Sequence, residues 1–496
     1  MKKVISLVLL FSLLVSLAAC SGEVSENRDT ERPDTQQGTL PNDTEVPDVG
    51  LDFPEYGGRT VNILTQNENS FEHRWVVNEI CVDELTGDQV NDAVYYRNAE
   101  VEKLLGVKIK ETIQNNSDKL RESVNSGDSV YDIVAASSDR SISLVYNGLV
   151  QNLYGTGIER YLNTESPWWS QHWIDEAEIN GQLYAITGDA SLSLSRFAMV
   201  MFYNKTMAKS LNLENPYEVV SSGRWTIDYV NEIISGVYVD VDGDKTVNGL
   251  DRFGIALTTD DNCDMFWSAF DMSLFAKGED GWYEYDSDGK EKLAAAFDKV
   301  YTLIYECPDS YNAVNRAGLD EDMRDMFSLG NLLLAPMHLK YGESQHFRLM
   351  RDKYTVLPLP KYDEAQEDYY TFVQEQYSIF MVPQNASDPQ LSGVLLEAMA
   401  AQSYKTLRPT YYDSVLKGKY TRDEETRQIV DMVMSNVKLD ASFIYGSVSF
   451  NMGKKVFSEL FGEKNKNFET KFSTYERLIP IVLGDFKKEF EDRAAD

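Results

Sequence analysis

Three short segments decide the fold: TVNILT at Thr60–Thr65, VKIKE at Val107–Glu111 and VYDIVAA at Val130–Ala136. Each alternates or concentrates apolar residues over the length of one strand. Between the first two, Asn91–Leu105 carries Val94, Val101, Leu104 and Leu105 on one helical face, and Gly106 stops it, because glycine closes a helix without steric cost. Between the second and third, Ser117–Ser126 sets Leu120 and Val124 four residues apart, the mark of a short amphipathic helix. Strand–helix–strand–helix–strand at these lengths requires right-handed crossovers and a parallel sheet. The chain therefore opens its folded part with an α/β lobe.

Toward the C-terminus a second set of elements follows. Phe197–Tyr203 (FAMVMFY) reads as a buried strand, and Thr226–Ile234 as a helix with Ile227, Val230 and Ile234 in register. Gly254–Leu257, Asn331–Met337, Tyr354–Leu359 and Tyr377–Val382 are strand-like; Leu391–Gln402 and Asp423–Met434 are helical. Phe468–Asp492 is a closing helical segment broken near Pro480, since proline cannot continue the hydrogen-bond ladder.

Toward the N-terminus the character changes. Ser21 to about Pro54 is rich in Ser, Glu, Asp, Thr, Asn and Pro with hardly a bulky apolar residue, so it has nothing to fold around and reads as a tether. Before it, Lys2 and Lys3 precede an apolar run, Val4–Leu17, and then Leu17-Ala-Ala-Cys20-Ser21. That is a secretory signal, shorter than the roughly 20 residues a membrane span needs. The four residues ending in Cys20 resemble the bacterial lipobox, which implies cleavage before Cys20, acylation of its thiol and anchorage on the outer face of the cell membrane.

With 80 acidic residues against 47 basic ones the net charge is −33, which repels phosphate backbones and argues against nucleic acid as a partner. Apolar residues make up 43% of the chain, enough to build large cores. Besides Cys20 there are Cys81, Cys263 and Cys307, with no metal-ligand spacing among them. A Cys263–Cys307 bridge and buried free thiols both fit, the second being favoured.

An ordered set of landmarks carries a resemblance. They are YDIV at Tyr131–Val134 followed by Gly148-Leu149, PWW at Pro167–Trp169, NGQLYAITGD at Asn180–Asp189, FYNK at Phe202–Lys205, GRWT at Gly223–Thr226, the aspartate-rich loop Asp240–Asp251, LPLPK at Leu357–Lys361, and Tyr377–Pro383. In this order behind a lipobox the chain resembles the extracellular solute-binding proteins of ABC importers, in the family 1 sugar-binding group. The resemblance implies an α/β, two-lobed periplasmic-binding-protein-like fold of type II, the maltose-binding type, with a hinge between the lobes. Residues 1–19 would be the lipoprotein signal, 20–55 the lipidated cysteine and tether, 56–195 and 331–402 lobe 1, and 196–330 and 403–496 lobe 2. It further implies a monomeric receptor that closes on a small solute, a carbohydrate or oligosaccharide, and passes it to permease subunits without chemistry or a required cofactor.

In a parallel sheet ligands bind beyond the carboxyl ends of strands. Asn67 and Glu68 follow the first strand, and Asp139 and Arg140 the third; the latter pair resembles an Asp-Arg pair of maltose-type binders, and a loop salt bridge or helix cap fits equally well. By the same resemblance Asp261, Asn262, Trp267, Tyr341 and Tyr445 are cleft candidates. For Trp168, Trp169 and Trp173, packing against lobe 1 is favoured over a ligand platform. The loop Asp240, Asp242, Asp244, Thr246, Asn248, Asp251 places oxygen ligands at the EF-hand positions, but Lys245 stands where that pattern has glycine and Asp251 where it has glutamate. A structural Ca²⁺ and a solvated acidic hairpin both fit. None of the four histidines stands in H-E-x-x-H, and G-x-S-x-G, P-loop and dinucleotide motifs are missing. The other readings kept open are a secreted polysaccharide-processing enzyme and a calcium-dependent surface sensor or adhesion module on the same fold.

Overall fold

Alternation along β2 (Val107–Ile113), in which Val107 is buried and Lys108 exposed, suits a strand at the edge of a sheet. β2 pairs in parallel with β1 (Arg59–Thr65), and β1 in parallel with β3 (Ile133–Ser137), whose five residues are all buried. The crossover helices are α1 (Gln89–Leu105) and α2 (Asn116–Ser126). Asp88 caps α1 by accepting from the amides of Val90 and Asn91, and Gly106 ends it at φ 61°. The buried face of α1 is Val90, Val94, Arg97, Val101 and Leu105. Leu104, expected on that face, is 56% exposed; the helix turns it past the stripe that meets the sheet. This computed structural model describes residues 53–66, 79–258, 261–312, 319–416, 424–450 and 452–494. The expected signal, Cys20 and nearly all of the tether lie outside the described residues. No helix among them is long and apolar enough to cross a membrane.

The second sheet has the order β10-β4-β9-β5-β8. β4 (Met199–Asn204) is antiparallel to β9 (Leu332–His338) and to β10 (Tyr354–Leu357), while β5 (Phe253–Leu257) is parallel to β9 and β8 (Ser310–Asn312). β6 (Phe275–Lys277) and β7 (Tyr283–Tyr285) form a separate hairpin. β11 (Ser378–Met381) returns to the first sheet, antiparallel to β3. This corrects the lobe division: β9 and β10 were placed in lobe 1 within 331–402, but their hydrogen bonds go to β4 and β5. The return to the first sheet falls between 357 and 378.

Two of the chain's crossings between the sheets run side by side. Ala198 pairs with Val373, the Met199 amide donates to Phe372 O (2.8 Å), and the Gln374 amide donates to Phe197 O (3.3 Å). After β11 come α3 (Pro389–Gln402), a π-turn at Ser403–Leu407 and α4 (Arg408–Leu416), then α5 (Glu424–Ser435). α4 packs on α1 and also on Leu339–Glu343, the segment that follows β9, whereas α5 packs on β10 of the second sheet. The closing segment is split as expected, into Phe468–Glu476 and Ile479–Ala494.

Buried polar groups fasten these pieces. Arg97 is fully buried, and its guanidinium donates to the carbonyls of Ala190 (2.9 Å), Glu79 (3.0 Å) and Ile80 (2.7 Å) and to Asn98 Oδ1 (2.8 Å). One cation thereby closes three loop carbonyls that burial would otherwise leave unpaired. Cys81, Cys263 and Cys307 are free thiols, and burial pushes the Cys81 thiol up to about 12.

Candidate functional site

The carboxyl end of β3 feeds directly into the helix Ser138–Tyr146, which carries Asp139 and Arg140 in its first turn. The Asp139 amide donates to Glu375 O (3.1 Å), and the Ser138 amide to Tyr377 O (3.0 Å). The Asp139 carboxylate lies 3.9 Å from Arg140 Nε, with the arginine 62% exposed. On the other sheet, β9 ends at His338 and turns at once into the 3₁₀ segment Leu339–Glu343. There the Leu339 amide donates to Ala198 O (2.8 Å), Tyr341 stacks on His338 at 6.2 Å, and Lys340 Nζ lies 4.6 Å from the Phe197 ring centroid. Asp139-Arg140 and Tyr341, the latter itself buried, are thus brought to the two flanks of one pair of crossings, each by the carboxyl end of its own strand.

Below them lies a buried charge cluster that the sequence reading missed. The Arg196 guanidinium sits between Glu79 Oε1 (3.2 Å) and Glu343 Oε1 (3.4 Å), directly before the first crossing. Burial pushes the Glu79 carboxyl up to about 7 against the opposing pull of Arg196. His338 is buried too; burial and then Lys340 drive its imidazole well below the usual range, so it is neutral at physiological pH. The available signal was a lone arginine set against the apolar run FAMVMFY.

Other candidates go elsewhere. Asn67 and Glu68 lie outside the described residues. Asp261 and Asn262 begin the helix Asp261–Ala269 after β5, but their side chains are outside the described part. Trp267, in the same helix, is 1% exposed and packs edge-on against Phe443 (6.0 Å) and Phe457 (5.6 Å). Tyr445 is 2% exposed, stacks its edge on Phe486 at 5.0 Å and donates its hydroxyl to Ala177 O (2.7 Å). Both are core residues here and present no face to a cleft, which corrects their assignment: a large ring finds more area to bury inside than at a surface.

The tryptophan cluster divides. Trp173 is fully buried and donates to Ala185 O (2.8 Å). Trp168 and Trp169 donate their indole N–H groups to the two oxygens of the buried Glu397, at 3.1 and 2.9 Å. Trp169 pairs with Gly188, where a Cβ would lie 2.9 Å from Trp169 Cα, so only glycine admits this close approach.

In the aspartate loop, carboxylate oxygens of Asp240, Asp242 and Asp244 lie within 4.8 Å of one another. Asp240 accepts from the amides of Gly243 (2.7 Å) and Lys245 (3.1 Å), and both those residues take left-handed backbone, φ 73° and 63°. Asp251 is buried beneath the loop and accepts from the amides of Val241 (3.1 Å) and Asn248 (3.2 Å); Asn248 accepts from the Leu250 amide. Three carboxylates therefore converge in a way that fits a hard cation, while Asp251 and Asn248 hold the loop's own backbone.

No protein-family model matches this chain, and no curated protein sequence does. Solved structures do. An ABC substrate-binding protein from Listeria monocytogenes in complex with cycloalternan is 12% identical, with a TM-score of 0.52 over 88% of this chain and 99% of that one. The GacH receptor of Streptomyces glaucescens, solved unliganded and with acarbose, is 11% identical, with a TM-score of 0.53 over 86% and 99%. A solute-binding protein from Agrobacterium radiobacter in complex with ribitol is 10% identical, with a TM-score of 0.51 over 88% and 99%. Two sheets, paired crossings and these neighbours agree on one architecture: the chain has the two-lobed periplasmic-binding-protein-like fold of the maltose-binding type.

Proposed function

We propose that this chain is a receptor for a small carbohydrate, serving an ABC importer by closing two lobes around its ligand without chemistry. The observation that carries this reading is the convergence of Asp139-Arg140 and Tyr341 on the paired crossings at Ala198 and Val373. Carboxyl ends of strands from both sheets meet there, where such folds take ligands. Charged and amide groups beside aromatic rings are the mixture that orients a polyhydroxylated molecule. The three neighbours described above were solved with sugars or a polyol, which supports the ligand class.

In this reading Cys20 carries the lipid, the acidic tether holds a monomeric body above the outer face of the membrane, and permease subunits read the closed form. Ca²⁺ held by Asp240, Asp242 and Asp244 would brace the loop before β5 and take no part in binding. A thermal-shift screen of mono- and oligosaccharides tests the ligand class, since a ligand selective for the native state raises the melting point. A neutral oligosaccharide is expected to shift it, and Asp139→Ala to abolish that shift; a response to oligopeptides alone would refute the proposal. Retention of Cys20→Ala at the membrane would refute the anchor.

A further inference from the structure

The Pro167–Trp169 turn, Gly188-Asp189 and the helical stripe Tyr404, Arg408 and Tyr412 line an open pocket of about 320 Å³ that none of the cleft candidates lines. The π-turn Ser403–Leu407 lies between α3 and α4, and such turns re-aim side chains within an otherwise regular helix. Four-residue spacing then sets Tyr404, Arg408 and Tyr412 on one face. The opposite wall is the C-terminal end of α5, with Asp431, Met434 and Ser435.

The chemistry of the lining is specific. Arg408 lies 4.3 Å from the Tyr404 ring centroid and 5.8 Å from that of Tyr412, and it donates to Asp189 Oδ2 at 3.0 Å. Asp431 feels the same guanidinium. Arg408 is paired with Asp189, and Asp431 faces both Arg408 and Arg427, so each cation by the pocket has an acid beside it and none is left over to draw an anion. It does hold rings for C–H faces, and an arginine has five N–H donors in a fixed fork, more than Asp189 occupies. Gln171, His172 and Ser435 add hydrogen-bonding groups at the rim. The volume sits at the low end of ligand pockets, about 300–1,000 Å³, room for one small ring. The walls meet beside the crossings: α4 packs on α1 and also on Leu339–Glu343 and α5, α5 packs on β10, and Val437 pairs with Thr371.

We propose that this is a second binding site, for a single neutral monosaccharide or polyol, placed at the hinge and separate from the cleft at Asp139 and Tyr341. The full chain is titrated with glucose, ribitol, maltotriose and gluconate, followed by calorimetry and by tryptophan fluorescence, because Trp168 and Trp169 line the pocket. Ser435→Trp fills the pocket from an exposed position of α5, and Asp139→Ala alters the cleft. Ser435→Trp is expected to weaken glucose or ribitol binding at least tenfold while maltotriose is held as before, and gluconate is expected to bind no better than glucose. Tyr404→Ala should weaken the same small ligand should the larger indole disturb folding. A folded Ser435→Trp protein that binds every probe like the parent overturns the proposal. So does loss of the small ligand in Asp139→Ala, or no binding of any neutral small probe by the parent. Failure of the cleft reading is distinct: it shows as unaltered maltotriose affinity in Asp139→Ala.

Discussion

Replacing Arg408 by methionine tests the electrostatics of the hinge region most directly. Arg408 and Asp189 are joined at 3.0 Å with side-chain exposures of 32% and 15%, so the acid is well shielded and the base only partly. Burial pushes the Asp189 carboxyl up to about 6, with Arg408 opposing the shift. Removing one member of a buried pair costs about 3–5 kcal/mol; partial exposure of the arginine puts the expected loss near the lower bound, about 3 kcal/mol at pH 7.5. The sign of the pH dependence follows from where each state holds its proton. Unfolded Asp189 releases it near 3.8, whereas the native state keeps it to about 6, so in the parent protein this group's contribution falls as pH rises through that window. Without Arg408 the native carboxyl holds its proton to still higher pH, and the window extends upward. Urea denaturation should therefore show a deficit for Arg408→Met that is smallest at pH 5 and widens to pH 8. Adding Asp189→Asn should recover most of it. A deficit below about 1 kcal/mol, or one that stays flat between pH 5 and 8, would refute the reasoning.

Three further outcomes are expected. Gly188→Ala should cost about 3 kcal/mol in the same denaturation assay, because its Cβ meets the Trp168 carbonyl and the Trp169 backbone, which cannot give way. Trp267→Ala should lose about 3–5 kcal/mol of stability, while Trp267→Phe should keep ligand affinity by calorimetry, since the indole is core and not a ligand platform. If Asp240, Asp242 and Asp244 hold Ca²⁺, EDTA should lower the melting temperature of the parent and leave that of Asp240→Ala unmoved; an EDTA-insensitive parent would dispose of the site.

Local periodicity made the first sheet legible: the spacing of Val94, Val101 and Leu105 and the alternation in Val107–Glu111 led directly to β1-α1-β2-α2-β3. Sheet membership further on was not legible. An apolar run such as Asn331–Met337 says that a strand is buried but not which strand it pairs with, and β9 went to β4 and β5 by hydrogen bonds that no local pattern encodes. The candidate residues divide the same way. The position of Asp139 and Arg140 just past the end of β3 was legible because strand ends are readable. Trp267 and Tyr445 were misplaced because an aromatic residue looks alike in sequence whether it faces sugar or core. Glu397 and Arg97 were invisible, since their partners are indoles and carbonyls remote along the chain.

The pairing of Ala198 with Val373 has a mechanical consequence. Two ribbons bonded edge to edge flex easily about the line perpendicular to both and resist twisting or sliding. Opening should thus trace a narrow arc about one axis, like a leaf spring, and relaxation data should show a single slow mode rather than free tumbling of the halves.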